Sequence, residues 1–404
     1  MAYIKRDIEN KILDALTDTP VVAIIGPRQS GKTTTARHIV KNASYITLDD
    51  EDSLMLAKTD PQGLLRTLKK PVIIDEVQRC PEIMTTIKLL VDEDRQPGSF
   101  VLTGSADLLA VPRLSDSMAG RIEFITLLPF SQSELAGGTS SFLKRLESND
   151  FTEIEGTTSQ EELFERITMG GYPEISQRIK RRRKAWFSAY STALINRDIT
   201  QVFELSKAAE LTQMFTALAA LTSSVLNINA LSRSAGLSAA TVTKYLSALE
   251  SMFLVKKIPV WHTNELKRQT KAPKVHFLDT GLLCATRQLT ADDFVKNRNL
   301  LGNVFETFVV SEVFKQITNS ENEYQIFHYR DRKKSEVDVI LSGPKCSTAI
   351  EIKSSMSISS ANFGTLYKLV ETGGIERGVV VYTGSKALKL SDKITAVPFD
   401  VLFS

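Results

Sequence analysis

The stretch VVAIIGPRQSGKT at residues 21–33 decides the fold of the N-terminal part of the chain. Its first five residues are all apolar, as expected for a strand that is buried on both faces of a parallel sheet. The rest fits the pattern G-x-x-x-x-G-K-[ST], and a helical pattern follows from Thr34 to about Lys41. Strand, glycine loop and helix together predict a phosphate-binding loop. A chance glycine turn is the alternative, and the next motif argues against it.

A second apolar run, KPVIIDE at residues 70–76, ends in two acids. Asp75 is suited to hold Mg²⁺ through water, and Glu76 is suited to polarise the attacking water. Beside a phosphate-binding loop, this pair predicts binding and hydrolysis of ATP or GTP, with Lys32 on the β- and γ-phosphates and the Thr33 hydroxyl on Mg²⁺. The residues predicted to contact the nucleotide are Gly26, Pro27, Arg28, Gln29, Ser30, Gly31, Lys32, Thr33, Thr34, Asp75 and Thr103.

Two more apolar stretches, SFVLTGS at residues 99–105 and RIEFITL at residues 121–127, predict further strands of the same sheet. Thr103 or Ser105 could sense the γ-phosphate from a strand end, whereas the alternative is a turn built from Thr-Gly-Ser. Arg121 could act as an arginine finger on the nucleotide of a neighbouring subunit in a homo-oligomeric ring. The alternative for Arg121 is an exposed arginine at the start of a strand. The sequence does not decide between these two roles of Arg121, nor between a sensor and a turn at residues 103–105.

The motifs GPRQSGKTT, VIIDEVQ, VLTGS, LPFSQSE and GGYPE together resemble those of the bacterial and archaeal AAA-type ATPases whose C-terminal half carries the domain called DUF4143. The resemblance extends through RDI at residues 197–199, VHFLDTG at residues 275–281 and GNVFE at residues 302–306, and so covers nearly the whole chain. It implies an ASCE-type sheet, ATP as the nucleotide and a nuclease-like fold at the C-terminal end. It does not imply a cellular role.

The middle of the chain predicts helices rather than strands. Residues 137–156 are rich in Gly, Ser, Thr and Asn, which indicates a loop or an insertion. Residues 161–206 show a helical pattern that is broken at GGYP, residues 170–173, where an AAA-type lid would lie. The basic run KRRRK at residues 180–184 is either a solvated helix face or a contact for a phosphate backbone.

A helix-turn-helix pattern follows at residues 229–251, where Gly236 supplies the turn and Ser238 the N-cap of the second helix. The run LVKKIPVW at residues 254–261 predicts the strands of a wing. Such a winged helix commonly binds duplex DNA, but packing between domains is an equally physical use of the same shape. The face of the second helix that is left for a ligand carries one cation; its residues are Thr241, Thr243, Lys244 and Ser247.

The C-terminal part contains a hairpin of two apolar strands, EVDVILS and STAIEIK, with charged residues inside it. Asp338 followed by Glu351 and Lys353 resembles the constellation of the PD-(D/E)xK nucleases. In that interpretation Asp338 and Glu351 bind Mg²⁺ or Mn²⁺, Lys353 orients or activates the attacking water, and Glu306 completes the metal site. The alternative is an ion pair on a binding scaffold, but acids on apolar strands are costly unless a metal or a water-filled cleft receives them.

A basic stretch lies just ahead of this hairpin. It could hold the phosphates of a substrate, or it could be an ordinary loop rich in solvated charge. Its residues are Arg330, Arg332, Lys333 and Lys334.

The predicted fold is therefore α/β: a P-loop core of the ASCE or AAA type, a winged helix, and a restriction-endonuclease-like α/β domain. The predicted boundaries are 1–135 for the ATPase core, 136–205 for a linker and helical lid, 206–265 for the winged helix and 266–404 for the DUF4143-type nuclease-like domain. A chain of 404 residues is long enough for several such domains.

Net charge, apolar runs and cysteine content narrow the expected partners and cellular compartment of the protein. The net charge of +3 names no partner, so any nucleic-acid surface must come from local clustering. No apolar run approaches the ~20 residues needed to cross a bilayer, so no membrane association is expected. The three cysteines show no paired metal spacing, and reduced thiols in a cytoplasmic protein are expected.

The sequence thus predicts an ATP-hydrolysing protein that acts on DNA through a metal-dependent nuclease-like C-terminal domain. The alternative is a nucleotide-dependent switch or assembly whose C-terminal domain binds nucleic acid or protein without cleavage. The predicted cofactors are ATP with Mg²⁺, and Mg²⁺ or Mn²⁺ at the nuclease-like site. The predicted catalytic residues are Lys32, Glu76, Arg121, Glu351 and Lys353, and the predicted metal ligands are Thr33, Asp75, Glu306, Asp338 and Glu351.

Overall fold

The structure is a computed structural model that describes residues 3–104, 118–151, 154–195, 208–262, 272–331, 333–359, 363–372 and 374–403. The chain forms two compact units, Met1–Pro129 with Ser251–Phe253, and Phe130–Glu250 with Leu254–Ser404. Ser105, Arg332 and the motif at residues 197–199 lie outside the described residues. Within those ranges, none of the helices combines the length and the apolar character needed to cross a membrane.

The first unit contains a five-stranded sheet in the order β2-β3-β4-β1-β5, in which every neighbouring pair is parallel. β4 therefore lies between the strand that leads into the glycine loop and the strand that ends in the two acids. The strands are β1 Val21–Ile25, β2 Ser44–Thr47, β3 Val72–Asp75, β4 Phe100–Gly104 and β5 Ile122–Thr126. Four of them were predicted from apolar runs, and β2 was not.

Alternating side chains of β1 explain why this sheet is buried on both faces. Val21, Ala23 and Ile25 pack into one apolar cluster, whereas Val22 and Ile24 pack into another. All five residues of β1 are buried, as expected for a central parallel strand. The helices of this unit are Glu9–Asp18, Lys32–Ile39, Glu51–Thr59, Pro61–Thr67 and Ile83–Glu93, with a 3₁₀ turn at Val77–Arg79.

The second unit is mainly helical up to residue 319. Its helices are Gln132–Leu135, Phe142–Ser148, Gln160–Met169, Pro173–Ser176, Lys180–Ala193, Ala208–Ala220, Ile228–Ala235, Ala239–Ser251, Thr280–Thr286, Ala291–Lys296, Leu301–Asn319 and Gly364–Glu371, with 3₁₀ turns at Arg298–Leu300 and Phe399–Leu402. The helices on either side of Gly236 are joined by this glycine in the left-handed conformation, with φ 66°. The Ser238 hydroxyl accepts the backbone N–H of Thr241 at 3.1 Å, which confirms its predicted role as an N-cap.

The predicted wing differs from the observed strands. Only one strand, β6 Val255–Ile258, forms within residues 254–261, and its antiparallel partner is β7 Lys274–Phe277. The prediction that both strands lie within 254–261 is therefore wrong. The proline at position 259 has no backbone N–H, so it cannot donate to a strand ladder.

The C-terminal sheet has six strands in the order β12-β13-β11-β10-β9-β8. β8, β9 and β10 are antiparallel neighbours, whereas β10, β11 and β13 are parallel. The strands are β8 Gln325–Arg330, β9 Glu336–Ser342, β10 Ser347–Lys353, β11 Arg377–Tyr382, β12 Leu388–Lys389 and β13 Ile394–Pro398. The helix Gly364–Glu371 packs its buried leucines and valine into the same apolar cluster as this sheet.

Candidate functional site

The glycine loop after β1 has a shape that only glycine permits at its first position. Gly26 has φ 152°, and a Cβ on it would lie 2.1 Å from the carbonyl oxygen of Leu127. Gly31 has φ 98° and precedes the helix Lys32–Ile39, so the loop enters the helix at its N-terminus. Backbone N–H groups at such a terminus are a ready site for phosphate.

Lys32 is the central cation of the loop. Its ammonium is buried and donates to the carbonyl oxygens of Gly26 at 3.1 Å and Pro27 at 2.9 Å. Burial lowers the pKa of Lys32 to about 8, while Glu76 and Asp75 oppose that shift. Among the described residues, the hydrogen bonds of this buried ammonium go to neutral carbonyls, so it gains from an anionic ligand, which a phosphate provides.

Asp75 collects hydroxyl groups from three different elements. Its Oδ1 accepts from Thr33 Oγ1 at 2.7 Å and also from Thr103 Oγ1, and its Oδ2 accepts from the Tyr45 hydroxyl at 3.1 Å. The structure thus brings the predicted residues Thr33, Asp75 and Thr103 together at the carboxyl ends of adjacent strands. Tyr45, on β2, was missed by the sequence reasoning, because β2 itself was not predicted.

Glu76 follows Asp75 in an unusual backbone conformation. Its φ of 57° and ψ of 41° are left-handed, which is uncommon for a residue with a Cβ. The side-chain amide of Gln78 donates to a carboxylate oxygen of Glu76. Residues held in such conformations are enriched at active sites, where the surrounding structure fixes the side chain.

Arg6 braces the loop from the N-terminal segment. Its guanidinium is buried and donates to the carbonyl oxygens of Ser30 at 3.0 Å and Leu128 at 2.6 Å. Arg6 therefore joins the glycine loop to the chain that follows β5. Sequence reasoning missed Arg6, since nothing in its local pattern distinguishes it from an exposed arginine.

The other predicted nucleotide contacts surround the loop. Pro27 and Ser30 are buried, Arg28 is partly buried, and Gln29 and Thr34 are exposed. Arg121 forms an ion pair with Asp92 of its own chain, with Nε 2.5 Å from Oδ1. That ion pair accounts for the arginine without a neighbouring subunit, and its role as a finger stays a prediction.

The C-terminal cluster brings together the four residues that were predicted for a nuclease-like site. Lys353 Nζ lies 2.6 Å from Glu351 Oε1 on β10. A further lysine, Lys274 on β7, lies 2.9 Å from Glu306 Oε1 and 3.2 Å from Asp338 Oδ1. The predicted partner of these acids is a metal ion or a water-filled cleft, whereas in the structure they contact lysines.

The electrostatics of this cluster reflect burial and like charge. Burial, followed by the charge of Asp338, raises the pKa of Glu306 to about 8, and Lys274 opposes the shift. The same two causes raise the pKa of Glu351 to about 7, against the opposing charge of Lys353. Among the residues that the structure describes, no three acidic, histidine or cysteine side chains are arranged so that they could share a metal ion. The predicted set of metal ligands stays a prediction.

Comparison with protein families assigns the two ends of the chain. Residues 18–136 match the model of an AAA domain, and residues 301–402 match a domain of unknown function, DUF4143. Residues 160–293 match a third model, also a domain of unknown function, DUF8612. Uncharacterized proteins of Mycobacterium tuberculosis and Mycobacterium bovis are each 31% identical over 406 residues, which cover 99% of this chain and 85% of theirs.

The chain belongs to the family of AAA-domain proteins with a C-terminal DUF4143 domain. The predicted family and the predicted α/β fold with a P-loop ATPase core are confirmed. Among solved structures, the Walker-type ATPase of Pyrococcus abyssi is 15% identical, covers 70% of this chain and 96% of its own, and has a TM-score of 0.46. A signal transduction ATPase of the STAND class from Pyrococcus horikoshii is 13% identical, with 78% of this chain and 46% of its own covered and a TM-score of 0.27.

Proposed function

We propose that the chain binds and hydrolyses ATP with Mg²⁺ at the glycine loop. The observation that carries this proposal is the convergence on Asp75 of hydroxyls from Thr33, Tyr45 and Thr103, beside the buried ammonium of Lys32. This donor set fits the nucleotide and its metal, because a carboxylate and a hydroxyl are oxygen ligands of the kind that Mg²⁺ prefers. The AAA family supports nucleotide binding.

Each residue has a distinct part in the reaction. Lys32 stabilises negative charge on the phosphates, and Glu76 orients the attacking water and accepts its proton. Mg²⁺, when bound, would be held by Thr33 and Asp75 and would neutralise phosphate charge. Thr103 and Tyr45 fix the orientation of the Asp75 carboxylate through their hydrogen bonds. The oxygen of water forms a bond to the γ-phosphorus as the bond to the bridging oxygen breaks.

Replacing Lys32 by methionine tests the site. Methionine keeps much of the volume but removes the ammonium, so we expect ATP to bind about 10- to 100-fold more weakly, as is typical for the loss of a charged hydrogen bond. Binding is measured by calorimetry and hydrolysis by phosphate release. Lys41→Met is the matched control, because Lys41 is exposed just beyond the same helix. Equal binding by Lys32→Met and the parent protein would refute the assignment.

We further propose that the second unit binds DNA without cleaving it, as a nucleotide-dependent switch. Three exposed cations on the helix Lys180–Ala193, namely Arg181, Arg182 and Lys184, make no ion pair among the described residues and suit a phosphate backbone. At the C-terminal cluster, lysines offset the charge of Glu306, Asp338 and Glu351. That pairing favours binding over the predicted metal-dependent cleavage.

DNA binding and cleavage are separated by two measurements on one set of proteins. The triple variant Arg181→Gln, Arg182→Gln, Lys184→Gln should bind duplex DNA more weakly. The slope of the logarithm of the binding constant against the logarithm of the salt concentration should become shallower by about three, since three phosphate contacts are lost. Plasmid and single-stranded DNA should stay intact with Mn²⁺ in the parent protein. Cleavage that disappears in Asp338→Asn would overturn the non-cleaving proposal and support the nuclease-like function predicted from the sequence. Unchanged DNA affinity in the triple variant would exclude this surface.

A further inference from the structure

Lys274 contacts two of the C-terminal acids, Glu306 and Asp338, from a strand outside the six-stranded sheet. It lies at the start of β7, which pairs with β6 in a separate two-stranded sheet, whereas Glu306 lies on the helix Leu301–Asn319 and Asp338 lies on β9. The ammonium nevertheless sits between the two carboxylates, at 2.9 and 3.2 Å. The side chains are 4% exposed for Lys274, 16% for Glu306 and 13% for Asp338, so water screens these charges little.

The backbone fixes Lys274 in this position. β7 pairs with β6 on one side, with Lys274 opposite Ile258. On the other side, the N–H of Ser223 donates to Val275 at 2.8 Å, and the N–H of Leu226 donates to Pro273 at 2.8 Å. Because β7 is hydrogen-bonded along both edges, the backbone position of its first residue is fixed, unlike that of a lysine on an exposed helix. The backbone therefore holds Lys274 in the cluster.

Two lysines offset most of the negative charge of the cluster. Two ammonium groups, from Lys274 and Lys353, face the carboxylates of Glu306, Asp338 and Glu351. The second oxygen of Asp338 accepts the backbone N–H of Ile352 at 2.9 Å, so both of its oxygens are engaged. A divalent ion at the same place would meet the charge of Lys274 at short range, and it would have to displace that ammonium from Asp338 Oδ1.

The nearby histidines do not supply that cation. His276 Nε2 lies 3.9 Å from Glu306 Oε1, and burial holds the pKa of His276 well below its usual range. Burial, followed by the charge of Lys274, lowers the pKa of His328 to about 4. Lys274 Nζ lies closer to the same Glu306 oxygen, at 2.9 Å, and it also contacts Asp338 Oδ1 at 3.2 Å. The cation between the two carboxylates is therefore Lys274.

We propose that Lys274 is the resident cation of this cluster and takes the position that a divalent metal takes in a metal-dependent nuclease. Lys274 and Lys353 then offset most of the charge of the three acids with no metal bound. This inference deepens the proposed non-cleaving role of the second unit and rests on it. The test measures Mn²⁺ binding that depends on Asp338, and this readout is independent of both ATP hydrolysis and DNA binding.

The experiment is a titration of the nucleotide-free, full-length protein with Mn²⁺, followed by electron paramagnetic resonance. The parent protein should show no Mn²⁺ site that depends on Asp338. Lys274→Met should gain one such site per chain, and adding Asp338→Asn to that variant should abolish it. Lys257→Met is the matched control and should gain no site, because Lys257 lies on the paired strand β6 and contacts Glu250 instead.

Two results would overturn the inference. One is a Mn²⁺ site in the parent protein that Asp338→Asn removes, because the metal would then bind in the presence of Lys274. The other is a folded Lys274→Met protein that gains no site, because the acids would then not form a metal position at all. The comparison of the parent protein with Asp338→Asn can still overturn the inference where Lys274→Met does not fold. Neither result bears on hydrolysis at the glycine loop, so the two proposals fail separately.

Discussion

Glu76→Gln should lower the rate of ATP hydrolysis by about 10²- to 10⁴-fold while leaving ATP binding largely unchanged. Glutamine has nearly the same size and keeps an oxygen that can accept the amide of Gln78, so the left-handed backbone at position 76 is retained. It cannot accept a proton from water, however. The loss therefore falls on the chemical step, which is measured as a single-turnover rate beside the ATP affinity.

The control for this substitution lies a few residues downstream. Glu82 is exposed and precedes the helix Ile83–Glu93, so Glu82→Gln makes the same change of charge without touching the site. A parent-like rate for Glu82→Gln assigns the loss to Glu76 rather than to net charge. If Glu76→Gln hydrolysed ATP at the parent rate, another group would have to activate the water.

The nucleotide site was predictable from sequence because its parts are local. The apolar run of β1, the glycine loop and the helix that follows it are contiguous, and their order carries the chemistry. β2 was missed for a physical reason: its residues are only partly buried, with Tyr45 exposed, so SYIT shows neither a continuous apolar run nor a clean alternation. For the same reason, the hydrogen bond from the Tyr45 hydroxyl to Asp75 was not predicted.

Lys274 and Arg6 could not have been found in the same way. Lys274 meets its carboxylate partners 32 and 64 residues along the chain, and Arg6 meets its carbonyl partners 24 and 122 residues along the chain. Nothing in the neighbouring sequence distinguishes either residue from a solvated cation. The acids themselves could be picked out from the sequence, but the cation that contacts them in the structure depended on the tertiary fold.

Lys274→Met should lower the free energy of unfolding by about 3 kcal/mol, near the lower end of the range for breaking a buried ion pair. The substitution leaves Glu306 and Asp338 close together and buried, without the ammonium that lies between them. Uptake of a proton limits the loss, because the pKa of Glu306 is already raised to about 8 by burial and by Asp338. Denaturant unfolding followed by circular dichroism measures the change.

Charge and packing are separated by removing the partners as well. If the loss comes from uncompensated charge, adding Glu306→Gln and Asp338→Asn to Lys274→Met should recover most of it, because both charged partners of the missing ammonium are then removed as well. Lys257→Met should cost less than about 1 kcal/mol, since its pair with Glu250 is partly exposed. A triple variant as unstable as Lys274→Met would assign the loss to packing. Unchanged stability in Lys274→Met would mean that the two acids do not require this cation, which contradicts the role we assign to it.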